Sequence, residues 1–257
     1  MRLATWNVNS LRVRLDLLLD WLKRDSPEVV CLQETKLTDD IFPVVPLAEI
    51  GYQAVFTGQK TYNGVAILSR LPLTDVITAL PEAPGEDEKR FIAATVEGLR
   101  VINVYVPNGQ AVGSLKFYYK LAWLERLRAF LATTHTLADA LVLCGDFNVA
   151  PEPRDVYDAT QVEGEILFHP EERTAFAHLL DWGLLDTLRL HHHEGGLYSW
   201  WDYRAAAFRR NLGFRIDHIL VTPAMATRCT AVTLERELRR QPKPSDHIPV
   251  VATFAVT

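Results

Sequence analysis

Apolar residues in this chain come in short runs, and each run hands over to a cluster of polar ones. Residues 2–7 alternate and end on Trp6 and Asn7, which predicts a strand delivering Asn7 and Asn9 to a loop. Ser10 stands where it can cap a helix, and Leu11, Leu15, Leu18 and Leu22 then recur at helical spacing as one stripe. Pro27 resets the chain before 29–32, a second buried strand that releases Gln33, Glu34, Thr35 and Lys36. Strand, helix, strand at this length suggests neighbouring strands joined by a crossover. Residues 64–69 read as a third strand and 81–90, rich in Pro, Gly and acids, as a loop. Residues 91–97 and 100–106 read as a hairpin around Gly98. A helix over 115–133 turns Leu121, Leu124, Leu127 and Leu131 inward. It leads into 141–144, a short apolar strand that Gly145 ends, so that Asp146 and Asn148 emerge on one side while Phe147 turns back to the core. After Pro151 and Pro153 comes a long polar connection, then a helix from about Glu171 that buries Phe176, Leu179 and Leu180. A last strand ends near Val256. No linker, repeat or low-complexity tract interrupts the pattern, which predicts a single domain over 1–257.

Composition narrows the class. With 257 residues, 48% of them hydrophobic, the chain can bury a large core, and disorder or a fibrous repeat is excluded. No apolar stretch approaches membrane-spanning length and the opening residues lack a signal peptide's pattern, which points to the cytoplasm and away from a membrane. Cys31, Cys144 and Cys229 are odd in number and widely spaced, as expected of reduced thiols packed in the core. A net charge of -5 argues against nucleic-acid binding through bulk positive charge. Local basic clusters matter more: Arg204, Arg209, Arg210 and Arg215; the stretch from Arg236 to Lys243; and, more sparsely, Lys116 and Lys120.

The candidate chemistry lies where the apolar runs end. Asn7, Glu34, Tyr105, Asp146, Asn148, Asp217, Asp246 and His247 all follow or close predicted strands, where a sheet can hold loop residues rigidly. Carboxylate and amide oxygens without cysteine suit a hard cation, Mg²⁺ or Mn²⁺, that completes its shell with water and substrate phosphate. Such a donor set points to phosphoryl chemistry, with histidine beside an aspartate as its natural electrophile. No Gly-x-Ser-x-Gly elbow or phosphate-cradling Walker loop is present, which disfavours a serine hydrolase and P-loop nucleotide hydrolysis. The run His191, His192, His193 precedes Glu194 and two glycines and reads as a polar loop.

Taken together, these segments resemble a known family. Trp6-Asn7-Val8-Asn9-Ser10-Leu11-Arg12, Leu32-Gln33-Glu34-Thr35-Lys36, Asn103-Val104-Tyr105-Val106-Pro107-Asn108-Gly109, Gly145-Asp146-Phe147-Asn148, Ser199-Trp200-Trp201-Asp202-Tyr203-Arg204, Arg215-Ile216-Asp217 and Pro244-Ser245-Asp246-His247-Ile248-Pro249-Val250 resemble, in order, the exonuclease III family of DNA repair nucleases. That family lies within the endonuclease/exonuclease/phosphatase superfamily. The resemblance implies an α/β fold, a four-layer sandwich of two packed mixed β-sheets flanked by α-helices. It implies that Glu34 ligates Mg²⁺ with Asn7 and Asp246, that Asp146 activates water with Asn148 orienting it, that His247 paired with Asp217 binds the scissile phosphate, and that Tyr105 assists the phosphate or leaving group. Arg90, Asn108 and Lys116 become backbone-phosphate contacts, and Trp200, Trp201 and Phe214 the aromatic wall of a sugar pocket. The implied partner is double-stranded DNA with 3′ ends, nicks or abasic sites, and the protein acts as a monomer.

Two positions depart from the family pattern. Ser10 replaces a common glycine, a change expected to be benign. Leu167 stands where relatives that cleave internal abasic sites carry a small residue, so it is expected to crowd the pocket and favour work at DNA 3′ ends. Rival readings are a superfamily phosphatase acting on inositol or lipid phosphates, and an inactive nucleic-acid-binding relative. The second is disfavoured because Asn7, Glu34, Asp146, Asn148, Asp217, Asp246 and His247 all stand.

Overall fold

A computed structural model describes residues 1–81 and 88–255. In chain order the strands and helices are β1 (Arg2–Asn7), α1 (Leu11–Asp25), β2 (Val29–Gln33), α2 (Val44–Glu49), β3 (Gln53–Thr57), β4 (Val65–Ser69), β5 (Thr74–Ile77), β6 (Phe91–Val96), β7 (Leu99–Tyr105), α3 (Leu115–Thr134), β8 (Leu141–Asp146), α4 (Ala159–Val162), α5 (Pro170–Asp181), β9 (Leu185–Asp186), α6 (Thr187–His191), α7 (Ala207–Arg210), β10 (Asp217–Val221), α8 (Pro223–Ala226), β11 (Cys229–Leu234) and β12 (Val250–Phe254). They form two six-stranded sheets, β11-β12-β1-β2-β4-β3 and β5-β6-β7-β8-β10-β9. Each sheet is mixed and has one parallel pair: β1 with β2, bridged by α1, and β7 with β8, bridged by α3. Three apolar layers hold the stack. Leu3, Cys31, Ile67, Val101 and Cys144 fill the space between the sheets. Trp123, Leu127, Phe147 and Phe176 pack the second sheet under α3 and α5, and Trp6, Leu18, Trp21 and Leu68 pack the first under α1 and α2. With both faces covered, central strands read as unbroken apolar runs. The order helix, sheet, sheet, helix is the four-layer α/β sandwich that the resemblance implied.

Some expectations need correction. Ser10 occupies the N-cap position of α1 but makes no side-chain cap bond; at φ 86° it sits in the left-handed region, which favours glycine. Gly145 does not end its strand, since β8 continues to Asp146. A Cβ there would lie 1.9 Å from the Val104 carbonyl oxygen, so the glycine permits close strand approach. The long polar connection after Pro151 buries Asp155 fully and includes the short helix α4. Leu121 and Leu180 are only half-buried; Trp123 and Phe130 hold the inner face of α3 instead. Arg215 and Lys120, read as parts of basic clusters, are both buried and ion-paired. Strands β3 and β5 and helix α2 were not anticipated. The expected loop at 81–90 falls mostly outside the described residues, as does the expected strand end at Val256. All three cysteines are buried and free, and among the described residues no helix is long and apolar enough to cross a membrane.

Candidate active site

The two parallel pairs end at the same edge of the sandwich. In one sheet Asn7 lies opposite Gln33, just before Glu34; in the other Tyr105 and Asp217 both lie opposite Asp146. The Asn7 amide spans the sheets: its Nδ2 donates 2.8 Å bonds to Glu34 Oε1 and to Asp146 Oδ2. Glu34 and Asn148 hold φ values of 51°, unusual for non-glycine residues and typical of functional loops. Behind Asp146 stands Asn148, whose backbone N–H donates to Asp146 Oδ1 at 2.9 Å. Its own side chain accepts from Asn108 Nδ2 at 3.1 Å and donates to the Val106 carbonyl at 3.0 Å.

His247 closes the cup. Its Nδ1 donates to Asp217 Oδ2 at 2.8 Å, leaving Nε2 3.8 Å from Asp146 Oδ2. Asp217 is fixed through backbone N–H bonds from 216 and 217 to the Ser199 hydroxyl, while its Oδ1 is buried without a partner. Burial alone would lower the His247 pKa, but the charges of Asp217 and Asp146 outweigh it and hold the ring protonated well above its usual range. Burial pushes the Asp146 carboxyl upward, and Asp217 adds to the rise. Burial, then Glu34 and Asp146, raise the Tyr105 phenol well above its ordinary value, so it remains a donor.

Glu34, Asp146 and His247 each offer an atom within 4.8 Å of the others. The imidazolium of His247 has no lone pair to give, which leaves the two carboxylates as the cation-seeking pair. A buried carboxylate and a half-buried one sharing one amide donor, open to solvent on the Glu34 side, fit a hard divalent cation that keeps water and a substrate oxygen in its shell. Asn7 does not fit the ligand role expected of it: it turns its NH₂ to the carboxylates and commits its Oδ1 to the Asn9 N–H at 2.9 Å. Its work is to hold the pair together. Asp246 stands outside the trio, its oxygens accepting from Asn9 Nδ2 at 2.9 Å and Trp200 Nε1 at 3.0 Å.

Of the implied DNA contacts, Arg90, Asn108 and Lys116 line a cavity of about 410 Å³ that also reaches Glu34 and Tyr105. The Arg90 guanidinium lies over the Tyr105 ring, 4.7 Å from its centroid. Trp200 and Phe214 meet edge to face beside His247, with the Trp200 ring 6.5 Å from the imidazole. Trp201 is not part of that wall. It is 0% exposed and packs against Tyr198 and Ile248, because adjacent residues of an extended segment face opposite ways. Leu167 does join the aromatic cluster, packed with Val156, Phe168, Phe214 and Trp200. Two residues were missed as members of the site. Lys36 Nζ pairs with Glu34 Oε2 at 2.9 Å and donates to Asn9 Oδ1 at 2.6 Å. Their signal was present: each lies two positions beyond a residue already singled out.

Comparison with known proteins agrees with this geometry. Residues 4–247 match the model of the Endonuclease/Exonuclease/phosphatase family. Exodeoxyribonuclease III of Haemophilus influenzae is 34% identical over 266 residues, covering 99% of this chain and all of its own. Among solved structures, a 3′ phosphatase, NExo, from Neisseria bound to a product DNA hairpin is 48% identical, with a TM-score of 0.96 and both chains fully covered. An AP endonuclease from Archaeoglobus fulgidus is 43% identical, again at 0.96 with full coverage.

Proposed function

The chain belongs to the endonuclease/exonuclease/phosphatase family and is a hydrolase of the exodeoxyribonuclease III type, and from that premise we propose that it works with Mg²⁺, or Mn²⁺, on DNA 3′ ends. It removes 3′-phosphates and 3′-blocking groups and trims 3′ nucleotides from double-stranded DNA, as a monomeric catalytic domain, with abasic-site incision the weaker activity. The observation that carries this reading is the buried arrangement of Asp146 against a His247 imidazolium backed by Asp217.

Asp146, its carboxyl raised by burial, accepts the proton of the attacking water. Asn148, held from both sides by Asn108 and the Val106 carbonyl, presents its remaining N–H to orient that water. His247 donates from Nε2 to a phosphoryl oxygen as charge builds there. Tyr105, protonated beside Glu34, donates toward the phosphate or the departing oxygen. A bound divalent cation would be held by Glu34 and water beside the Asp146 carboxylate and would supply positive charge to the phosphoryl and leaving oxygens. Arg90, Lys116 and Asn108 hold the DNA backbone, while Trp200 and Phe214 wall the sugar.

The balance of activities rests on Leu167. This side chain is 6% exposed, sits at φ 74° and fills the space beside Phe214 and Trp200, where an extruded abasic sugar would have to enter. A leucine in the left-handed region costs about 1 kcal/mol. Replacing it with glycine removes both strain and bulk. We expect L167G to raise abasic-site incision at least about tenfold, the worth of a methylene or two of pocket space, with 3′-phosphate release little changed. The test is an assay with Mg²⁺ on three labelled duplexes: an internal abasic site, a recessed 3′-phosphate and an ordinary recessed 3′-hydroxyl. Strong abasic incision by the unmodified chain, or no gain in L167G, overturns the assignment.

A further inference from the structure

Behind the cup, on α3, lies a lysine that no step above uses. Lys120 is 0% exposed, and its ammonium has three donors and three partners. Nζ donates to the Asn148 carbonyl at 2.6 Å, to the Asn108 carbonyl at 3.2 Å and to Glu172, with which it forms a fully buried ion pair. The two carbonyls belong to the residues whose side chains bond to each other beside Asp146. Asn148 sits in the left-handed backbone region at φ 51°, and its carbonyl is one that Lys120 holds. Glu172 carries the tether further: its second oxygen accepts from the His169 N–H at 3.1 Å, and two residues upstream the Leu167 carbonyl accepts from Ala150 at 2.8 Å.

We propose that Lys120 is a positioning residue that sets the Asn148 and Asn108 amides from behind by gripping their main-chain carbonyls. The proposal rests on the functional reading above. Stability alone explains it poorly, because a buried ion pair is often replaceable by apolar residues of similar volume at no net loss. What apolar side chains cannot replace is a donor to two carbonyls that lie in different loops.

The experiment separates these roles by crossing two variants. K120M/E172L removes both charges together. Its melting temperature should stay near that of the unmodified protein, while kcat on a recessed 3′-phosphate falls about 10- to 100-fold, the usual effect of a small misplacement of catalytic groups, and KM stays within about threefold. E172Q leaves a lysine that keeps two donors for the two carbonyls even as a neutral amine. It should lower the melting temperature and keep kcat within about threefold. Amide hydrogen exchange should quicken at 147–150 in K120M/E172L but not in α3. A folded K120M/E172L with near-normal kcat and unchanged exchange overturns the proposal; a loss confined to KM does so too, by making Lys120 a substrate contact. Should that pair not fold, K120M/E172Q carries the same comparison, since it too removes every donor to the two carbonyls at position 120. If the unmodified chain cleaves no DNA, the functional reading fails, and the exchange measurement alone decides whether Lys120 holds the loop.

Discussion

Two clusters of charge meet at the start of strand β10, one through Asp217 and one through His218, and they differ in balance. In the first, Asp217 joins Glu34, Asp146 and Asp246 around the cations His247 and Lys36. In the second, Arg215 binds Asp155 through two nitrogens at 2.7 and 3.1 Å and Asp186 at 2.7 Å, while Arg189 also pairs with Asp155. His218 completes that second cluster uncharged, bonding Val149 O at 2.8 Å. Two guanidinium groups against two carboxylates leave nothing over. The first cluster holds more acid than base, and a carboxylate oxygen of Asp217 has no partner in it. Buried charge therefore does not mark the site; buried charge in excess does.

The largest consequence is a crossing of activity and stability. D146N removes the group that takes the proton and should cut single-turnover cleavage about 10²- to 10⁴-fold, with the melting temperature unchanged or raised, since one of several crowded carboxylates has gone. D155N should do the reverse: it takes the carboxylate from Arg189 and leaves Arg215 with Asp186 alone, and should cost about 3 to 5 kcal/mol of stability, while the folded fraction cleaves normally. Denaturant unfolding beside active-site-normalised rates checks both. A D155N protein as stable as the unmodified one would erase the contrast.

The balanced cluster also sets an acid limit. Burial, then the Arg215 charge, depress His218 to about 4 from 6.5. Between those values the unfolded chain binds a proton that the folded chain refuses, so stability falls as pH drops through 6.5 and the loss is complete below about 4. The full difference is on the order of 3 kcal/mol. Asp155, kept low by Arg215 against its own burial, loses its contribution in the same direction at still lower pH. H218Q should flatten the stability profile between pH 6.5 and 4; an unaltered slope would mean that other groups produce it.

The two clusters were unequally legible in the sequence, for physical reasons. Asp146 closes an apolar run, Asp217 opens one and His247 stands just before another, and a strand boundary is a local signal. The second cluster has none, because Arg215 finds Asp155 60 positions away and Asp186 29 positions away. Read locally, Arg215 was one member of a basic cluster. Edge strands escaped for a related reason: β5 is exposed at all four positions and β3 at its first, so neither shows a buried run. Trp201 was open to correct reading from the start, since neighbouring tryptophans on an extended segment cannot share a wall. Asn7 was not, because which end of an amide faces a carboxylate depends on a hydrogen bond to Asn9 that sequence does not display.

The smallest expected effect sharpens the contrast by adding charge instead of removing it. A divalent cation should settle only where acid exceeds base, and binding to the folded state alone raises stability by about 2.7 kcal/mol at a hundredfold excess over Kd. Titrating Mg²⁺ against the metal-stripped protein should raise the melting temperature, and chelator should reverse it. E34Q should abolish the rise and H218Q should keep it, because Glu34 belongs to the unbalanced cluster and His218 to the balanced one. A rise that survives E34Q would place the cation elsewhere and break the link between acid excess and the site.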